Sequence, residues 1–161
     1  MKIITKIINI LLTLVIIIGL IFVFLYAIKI EPYVVLSGSM EPTIETGSLC
    51  FINKNTKIED VKENDIIAFK LSDGTLVTHR AIEIKDTGIV TKGDNNNGAD
   101  SNEVKKDNFV GKNLFWIPKV GYVVKAFQTT SGKIIIITSI VLLFAVGFLF
   151  GDNKKKELKE V

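Results

Sequence analysis

Apolar residues follow three different patterns along this 161-residue chain. Residues 7–28, IINILLTLVIIIGLIFVFLYAI, carry no charge and are long enough to cross roughly 30 Å of hydrocarbon as a helix. A second uncharged run, residues 134–150, IIIITSIVLLFAVGFLF, sits at the short end of the spanning range and includes Thr138 and Ser139. Between the two, apolar positions come in short bursts rich in β-branched and aromatic residues: SLCFIN, DIIAFKL, TLVTHRAIEI and GIVTKG. The turn-forming stretches NKN, KEND, SDG and KDTG separate them. In LSDGTL the Asp-Gly pair supplies the positive φ angles of a tight turn, which makes residues 66–71 and 76–84 neighbouring strands. No amphipathic helix of convincing length stands out.

The pattern predicts a mainly β protein. A compact antiparallel β domain at residues 29–133, built as two small sheets or a partly coiled barrel, is flanked by transmembrane helices at 7–28 and 134–150. Residues 1–6 form a short N-terminal segment and 151–161 a basic tail.

Charge orients this arrangement. Lys2 and Lys6 precede the first run, and Lys154, Lys155, Lys156 and Lys159 follow the second, so both ends are expected in the cytoplasm and the β domain across the membrane. That is the extracytoplasmic face of a cell membrane, or the lumen in an endoplasmic reticulum. The basic start also suits a removable signal peptide. The first run, however, exceeds the usual apolar length of about 7 to 15 residues, and YAIKIEP offers no small-x-small cleavage site, which favours a retained anchor. The net charge of +3 resides mostly in the tail, which suits anionic lipid headgroups and gives no nucleic-acid patch.

Candidate chemistry is sparse. Cys50 is the only cysteine, which excludes an intramolecular disulfide and any Cys-x-x-Cys site, and its place in SLCFI suits a buried core position. His79 is the only histidine, so no metal site of the usual ligand spacing is expected, and no cofactor is implied. Just outside the first apolar run lies VVLSGSMEPT, a polar Gly-Ser kink next to Pro42 of a kind that can hold the Ser39 hydroxyl away from its own strand. A serine hydroxyl needs a base to become a nucleophile, and a neutral imidazole suits that task. The imidazole in turn needs an acidic partner, for which KGDNNNGAD offers Asp94 and Asp100.

Four stretches carry a family resemblance: SGSMEPT, KENDIIAF, VTHRAIEI and TKGDNNNGAD. In order and spacing they resemble the conserved boxes of type I signal peptidases, and the N-terminal anchor belongs to the same pattern. Where the usual bacterial enzymes carry a lysine base this chain has His79, so it resembles the histidine subgroup of endoplasmic reticulum subunits, archaea and some Gram-positive bacteria. The resemblance implies a serine endopeptidase that cleaves signal peptides from exported preproteins. Ser39 would be the nucleophile, His79 the base, Asp100 its acidic partner and Asp94 a supporting acid. The Ser39 backbone N–H and the Ser37 hydroxyl would form the oxyanion site. Val34, Val35 and Leu36 on one side and Leu76, Val77 and Thr78 on the other would hold an extended substrate by strand addition. Expected partners are signal peptides of secretory preproteins, the bilayer, and export machinery or accessory subunits. Two alternatives stand beside this reading: a catalytically silent membrane scaffold, and a Ser-Lys dyad using Lys70 or Lys92.

Overall fold

The structure is a computed structural model and describes residues 2–157. The chain divides into a sheet unit, Leu25–Lys125, and a helical unit formed by the segments on either side of it.

In the helical unit, α1 (Lys2–Ala27) takes in the first apolar run and begins earlier than expected, so most of residues 1–6 belongs to the helix. Between Lys6 and Ala27 it is long and apolar enough to cross a membrane. Its large apolar side chains are exposed along most of its length. The second run lies in α3 (Thr130–Glu157). That helix meets the same standard only together with α2 (Val120–Gln128), from which it is broken at Thr129, so one helix qualifies as a span by itself and the expected second span is not established. Helix α3 also takes up most of the expected tail, while Lys159 lies outside the described residues.

The sheet unit is one six-stranded sheet in which all paired strands are antiparallel, not two small sheets. Its strands are β1 (Ile30–Val34), β2 (Leu49–Asn53), β3 (Ile66–Lys70), β4 (Leu76–Lys85), β5 (Gly88–Lys92) and β6 (Phe109–Ile117), in the spatial order β1-β2-β6-β3-β4-β5. Four of the six match the expected bursts. Strand β1 was not foreseen because Pro32 interrupts it; proline lacks the N–H that an interior strand needs, and here it occupies an edge strand. Strand β6 escaped notice because Gly111, Lys112 and Asn113 break its apolar run. Gly111 is required there, since a Cβ would collide with the Asn53 carbonyl of the adjoining β2.

The β3–β4 connection is longer than a two-residue turn. Leu71 N–H donates to the Thr75 carbonyl, Gly74 takes φ +83°, and the Asp73 carboxylate accepts the Thr75 N–H at 2.8 Å. Only Gly74 adopts positive φ there; Asp73 works through its side chain.

Strand alternation explains why β3 is apolar at every position except its last. Ile66 and Ala68 join a cluster with Met40, Ile44, Cys50 and Ile52, while Ile67 and Phe69 point the other way into a cluster with Val61, Ala81, Ile89 and Val104. The strand is covered on both faces by loops, hence its continuous hydrophobic run. Cys50 is buried, with its thiol pushed up to about 11 by that burial, as suits an inert core residue.

Candidate active site

The cross-strand register places His79. It faces Ile67 across the β3–β4 ladder, so its ring shares the face of Ile67, Phe69 and Ala81, and the Phe69 ring meets it edge-on at 6.0 Å. Thr91, opposite Ala81 on β5, shares that face, and the Asp100 N–H donates to the Thr91 carbonyl at 2.8 Å. Asp100 is thereby brought back over the sheet beside His79.

Ser39 arrives from the loop between β1 and β2. Immediately after it the chain makes a helical turn, with Glu41 N–H donating to Gly38 and Ile44 N–H to Met40. Met40 and Ile44 are both buried in the apolar cluster beneath, so the residue next to the serine is an anchor. The loop after β5 holds the serine from the other side: Asn95 donates its backbone N–H to the Ser39 carbonyl at 2.9 Å and its side-chain amide to the Gly38 carbonyl at 3.2 Å. Gly93 is what allows this approach, since a Cβ there would lie 2.6 Å from the Ser39 carbonyl oxygen.

Three groups then form a chain of contacts. His79 Nδ1 lies 2.6 Å from Asp100 Oδ2, and His79 Nε2 lies 3.1 Å from Ser39 Oγ. A carboxylate only accepts, so Nδ1 carries a proton, and in the neutral imidazole Nε2 presents its lone pair to the serine. The Thr91 hydroxyl donates to the same Asp100 oxygen at 2.6 Å. Ser37 Oγ stands 3.4 Å from Ser39 Oγ, on the exposed side of the kink.

Asp94 is engaged elsewhere. Arg80, next to His79 but pointing to the opposite face, binds it through both oxygens and also donates to the Asn64 carbonyl at 2.9 Å. The guanidinium holds the Asp94 carboxyl below its usual range. Arg80, Thr91 and Asn95 were not singled out in the sequence. The available signals were the charge next to His79 and a hydroxyl on the buried face of β5.

The expected substrate-binding residues fall at the end of β1, in the loop after it and at the start of β4. Leu36 is exposed; Val35 and Leu76 pack partly on one apolar cluster and Val77 on the other, so those three also fill the core. β5 pairs with β4 only from Arg80 to Lys85, which leaves the β5-side edge of Leu76, Val77 and Thr78 without a strand partner among the described residues. Lys70 and Lys92 lie opposite Leu76 and Arg80, on the face away from His79. Among the described residues no cluster of three or more metal-ligating side chains occurs.

Against known families, residues 7–106 match the model described as signal peptidase, peptidase S26, a stretch that includes Ser39, His79, Asp94 and Asp100. The chain belongs to this signal peptidase family. Among curated proteins it is 44% identical over 78 residues to signal peptidase I W of Bacillus subtilis, covering 46% of this chain and 41% of the relative. It is 33% identical over 102 residues to the signal peptidase complex catalytic subunit SEC11 of Colletotrichum graminicola, covering 56% and 59% of the two chains. Human SEC11C, also named as a catalytic subunit of that complex, is 36% identical over 103 residues, covering 56% and 53%. The chain thus spans roughly two fifths to three fifths of the length of these relatives. The histidine-bearing resemblance read from the motifs and this signal peptidase membership agree.

Proposed function

We propose that this chain is a membrane-anchored serine endopeptidase that removes signal peptides from exported preproteins, with Ser39 as nucleophile, His79 as base and Asp100 as its orienting acid. The observation that carries the reading is the unbroken series Ser39 Oγ, His79 Nε2, His79 Nδ1 and Asp100 Oδ2, with contacts of 3.1 and 2.6 Å.

In the proposed reaction, Nε2 takes the Ser39 proton as Oγ attacks the scissile carbonyl. Asp100 keeps the imidazole in the required tautomer and stabilises the cation that forms. His79 then returns the proton to the departing amine, leaving an acyl group on Ser39 that water removes by the reverse path. The oxyanion is met by the Ser39 backbone N–H and the Ser37 hydroxyl, each worth a few kcal/mol of barrier in comparable sites.

An extended substrate adds to the open β4 edge at Leu76, Val77 and Thr78, with Val34, Val35 and Leu36 on its other side. The anchor supports the same reading. Only about ten residues separate α1 from Ser39, so the serine stays within about 40 Å of the membrane surface, where a signal peptide is also held. A two-pass topology with the sheet unit outside, and accessory subunits of the kind the relatives' names mention, belong to this proposal.

The test is to incubate the purified protein with a secretory precursor and sequence the new N-terminus. Cleavage at a signal-peptide boundary, absent in Ser39→Ala, is the expected result. Failure to cleave any of several precursors, with no labelling of Ser39 by a serine-reactive probe, would leave a silent scaffold as the better account.

A further inference from the structure

Around His79, the buried strand residues of the same cluster, Ile67, Phe69, Ala81 and Ile89, are all apolar, and Thr91, which shares their face, is the exception. A fully buried hydroxyl on such a face costs stability unless it finds a partner, and a valine would otherwise suit the strand. The partner it has found is Asp100 Oδ2, at 2.6 Å, the same oxygen that His79 Nδ1 contacts at 2.6 Å. The other carboxylate oxygen receives neither of these donors.

We infer that Thr91 is a positioning residue acting through Asp100: its hydroxyl shares with His79 the one carboxylate oxygen that meets the imidazole, and so limits the carboxylate's hold on the ring. This inference rests on the functional reading above. Two donors on one oxygen each draw on the same negative charge, so each weakens the other. Removing the hydroxyl leaves Oδ2 more basic and favours the imidazolium. The backbone of Asp100 stays in place when the hydroxyl is lost, because its N–H is tied to the Thr91 carbonyl at 2.8 Å whatever the side chain, and His79 Nδ1 still holds the carboxylate at 2.6 Å.

The other charges around the ring are accounted for. Asp94, from the same loop as Asp100, feels the charge of His79 but is paired chiefly with Arg80, the neighbour of His79 on β4. Lys112 of β6, which shares the Ile67 register, is held by Asp65 at 2.7 Å. Lys92 of β5 and Lys70 of β3 face the other way. Ser39 and Phe69 bring no charge. Asp100 is therefore the group through which a change at Thr91 reaches the ring.

The chain has a single histidine, so proton uptake by this ring is read directly by NMR on the full protein, purified in micelles without a histidine tag. In Thr91→Val and Thr91→Ala the imidazole should take up its proton at higher pH than in the parent, by on the order of half a pH unit. Thr91→Ser, which keeps the hydroxyl, should titrate as the parent does. The acidic limb of kcat/KM on a precursor should move with the NMR midpoint, while the plateau at high pH stays within about threefold. In an Asp100→Asn background the difference between Thr91 and valine should vanish. An unchanged or lowered midpoint in Thr91→Val and Thr91→Ala overturns the inference, as does a serine variant that shifts like valine, or a difference that persists without Asp100. The NMR titration needs no substrate, so a parent that cleaves no precursor counts against the functional reading alone.

Discussion

The Arg80 guanidinium grips Asp94 through both carboxylate oxygens, at 2.8 and 2.7 Å. The two aspartates of one loop are thereby divided between two neighbouring residues on β4: Asp94 serves Arg80 on one face, and Asp100 serves His79 on the other.

Asp100→Asn is therefore expected to cost more activity than Asp94→Asn. An asparagine at position 100 can present its NH₂ to Nδ1 and favour the wrong tautomer, for a loss of about a hundredfold or more in kcat/KM. Asp94→Asn should stay within about tenfold, because it disturbs the loop and not the proton path. Steady-state kinetics on both variants decide the ranking, and the reverse order would make Asp94 the acid of the site.

Asp94 should show itself instead in acid stability. Its carboxyl is held below the ordinary value of 3.8 by Arg80, so the pair contributes stability that is fully present above about pH 4 and is lost as pH falls through the lower, folded-state value. Asp94→Asn is expected to lower stability at neutral pH by on the order of 1 kcal/mol, given a partly exposed pair, and to flatten the decline below pH 4. Denaturant midpoints recorded from pH 7 to pH 3 test both the sign and the window.

Ser39→Ala and His79→Ala should each reduce cleavage at least about a thousandfold, and the partly exposed Ser39 hydroxyl should be lost without cost to the fold. His79→Lys should not restore the rate, because the position is fitted with a carboxylate at 2.6 Å that would hold an ammonium charged. Circular dichroism alongside precursor cleavage separates loss of chemistry from loss of structure, and retention of activity within about tenfold in Ser39→Ala would remove it as nucleophile.

Lys70→Met and Lys92→Met should retain activity within about threefold and keep an acidic limb of one proton in kcat/KM. Both lysines lie on the face of the sheet opposite His79. A lysine substitution that abolished the limb together with most of the activity would revive the Ser-Lys mechanism.

Met40→Ala should act at a distance from the chemistry. Met40 is 2% exposed and lies in the cluster beneath the serine loop, so truncating it is expected to cost about 2 to 5 kcal/mol of stability. Cleavage should also fall more than fraction unfolded accounts for, because the adjoining serine loses its anchor. A thermal melt paired with kcat/KM measured well below the transition shows both.

Much of this site was legible before the fold was known. A lone histidine in a strand, a serine in a Gly-Ser kink and two aspartates in an asparagine-rich loop limited the choices, and the family motifs ordered them. What pairing decides was not legible: whether Arg80 or His79 takes Asp94 depends on strand alternation combined with the path of a loop. The missed elements have local causes. Pro32 hides an edge strand, the Gly111–Asn113 interruption hides a central one, and α2 at nine residues is too short to impose a periodic signal. Thr91 reads as an ordinary strand residue until the loop closes over it.

Strand β6 comes last of the six in the chain yet lies in the middle of the sheet, between the half that launches the Ser39 loop and the half that carries His79. Before residue 117 has left the ribosome, no backbone ladder ties one half to the other. The ladder that joins the serine's half of the sheet to the imidazole's half is therefore a late event in the making of the sheet unit, and before it only the Asn95 contacts and the Met40–Ile66 cluster can bring the two together.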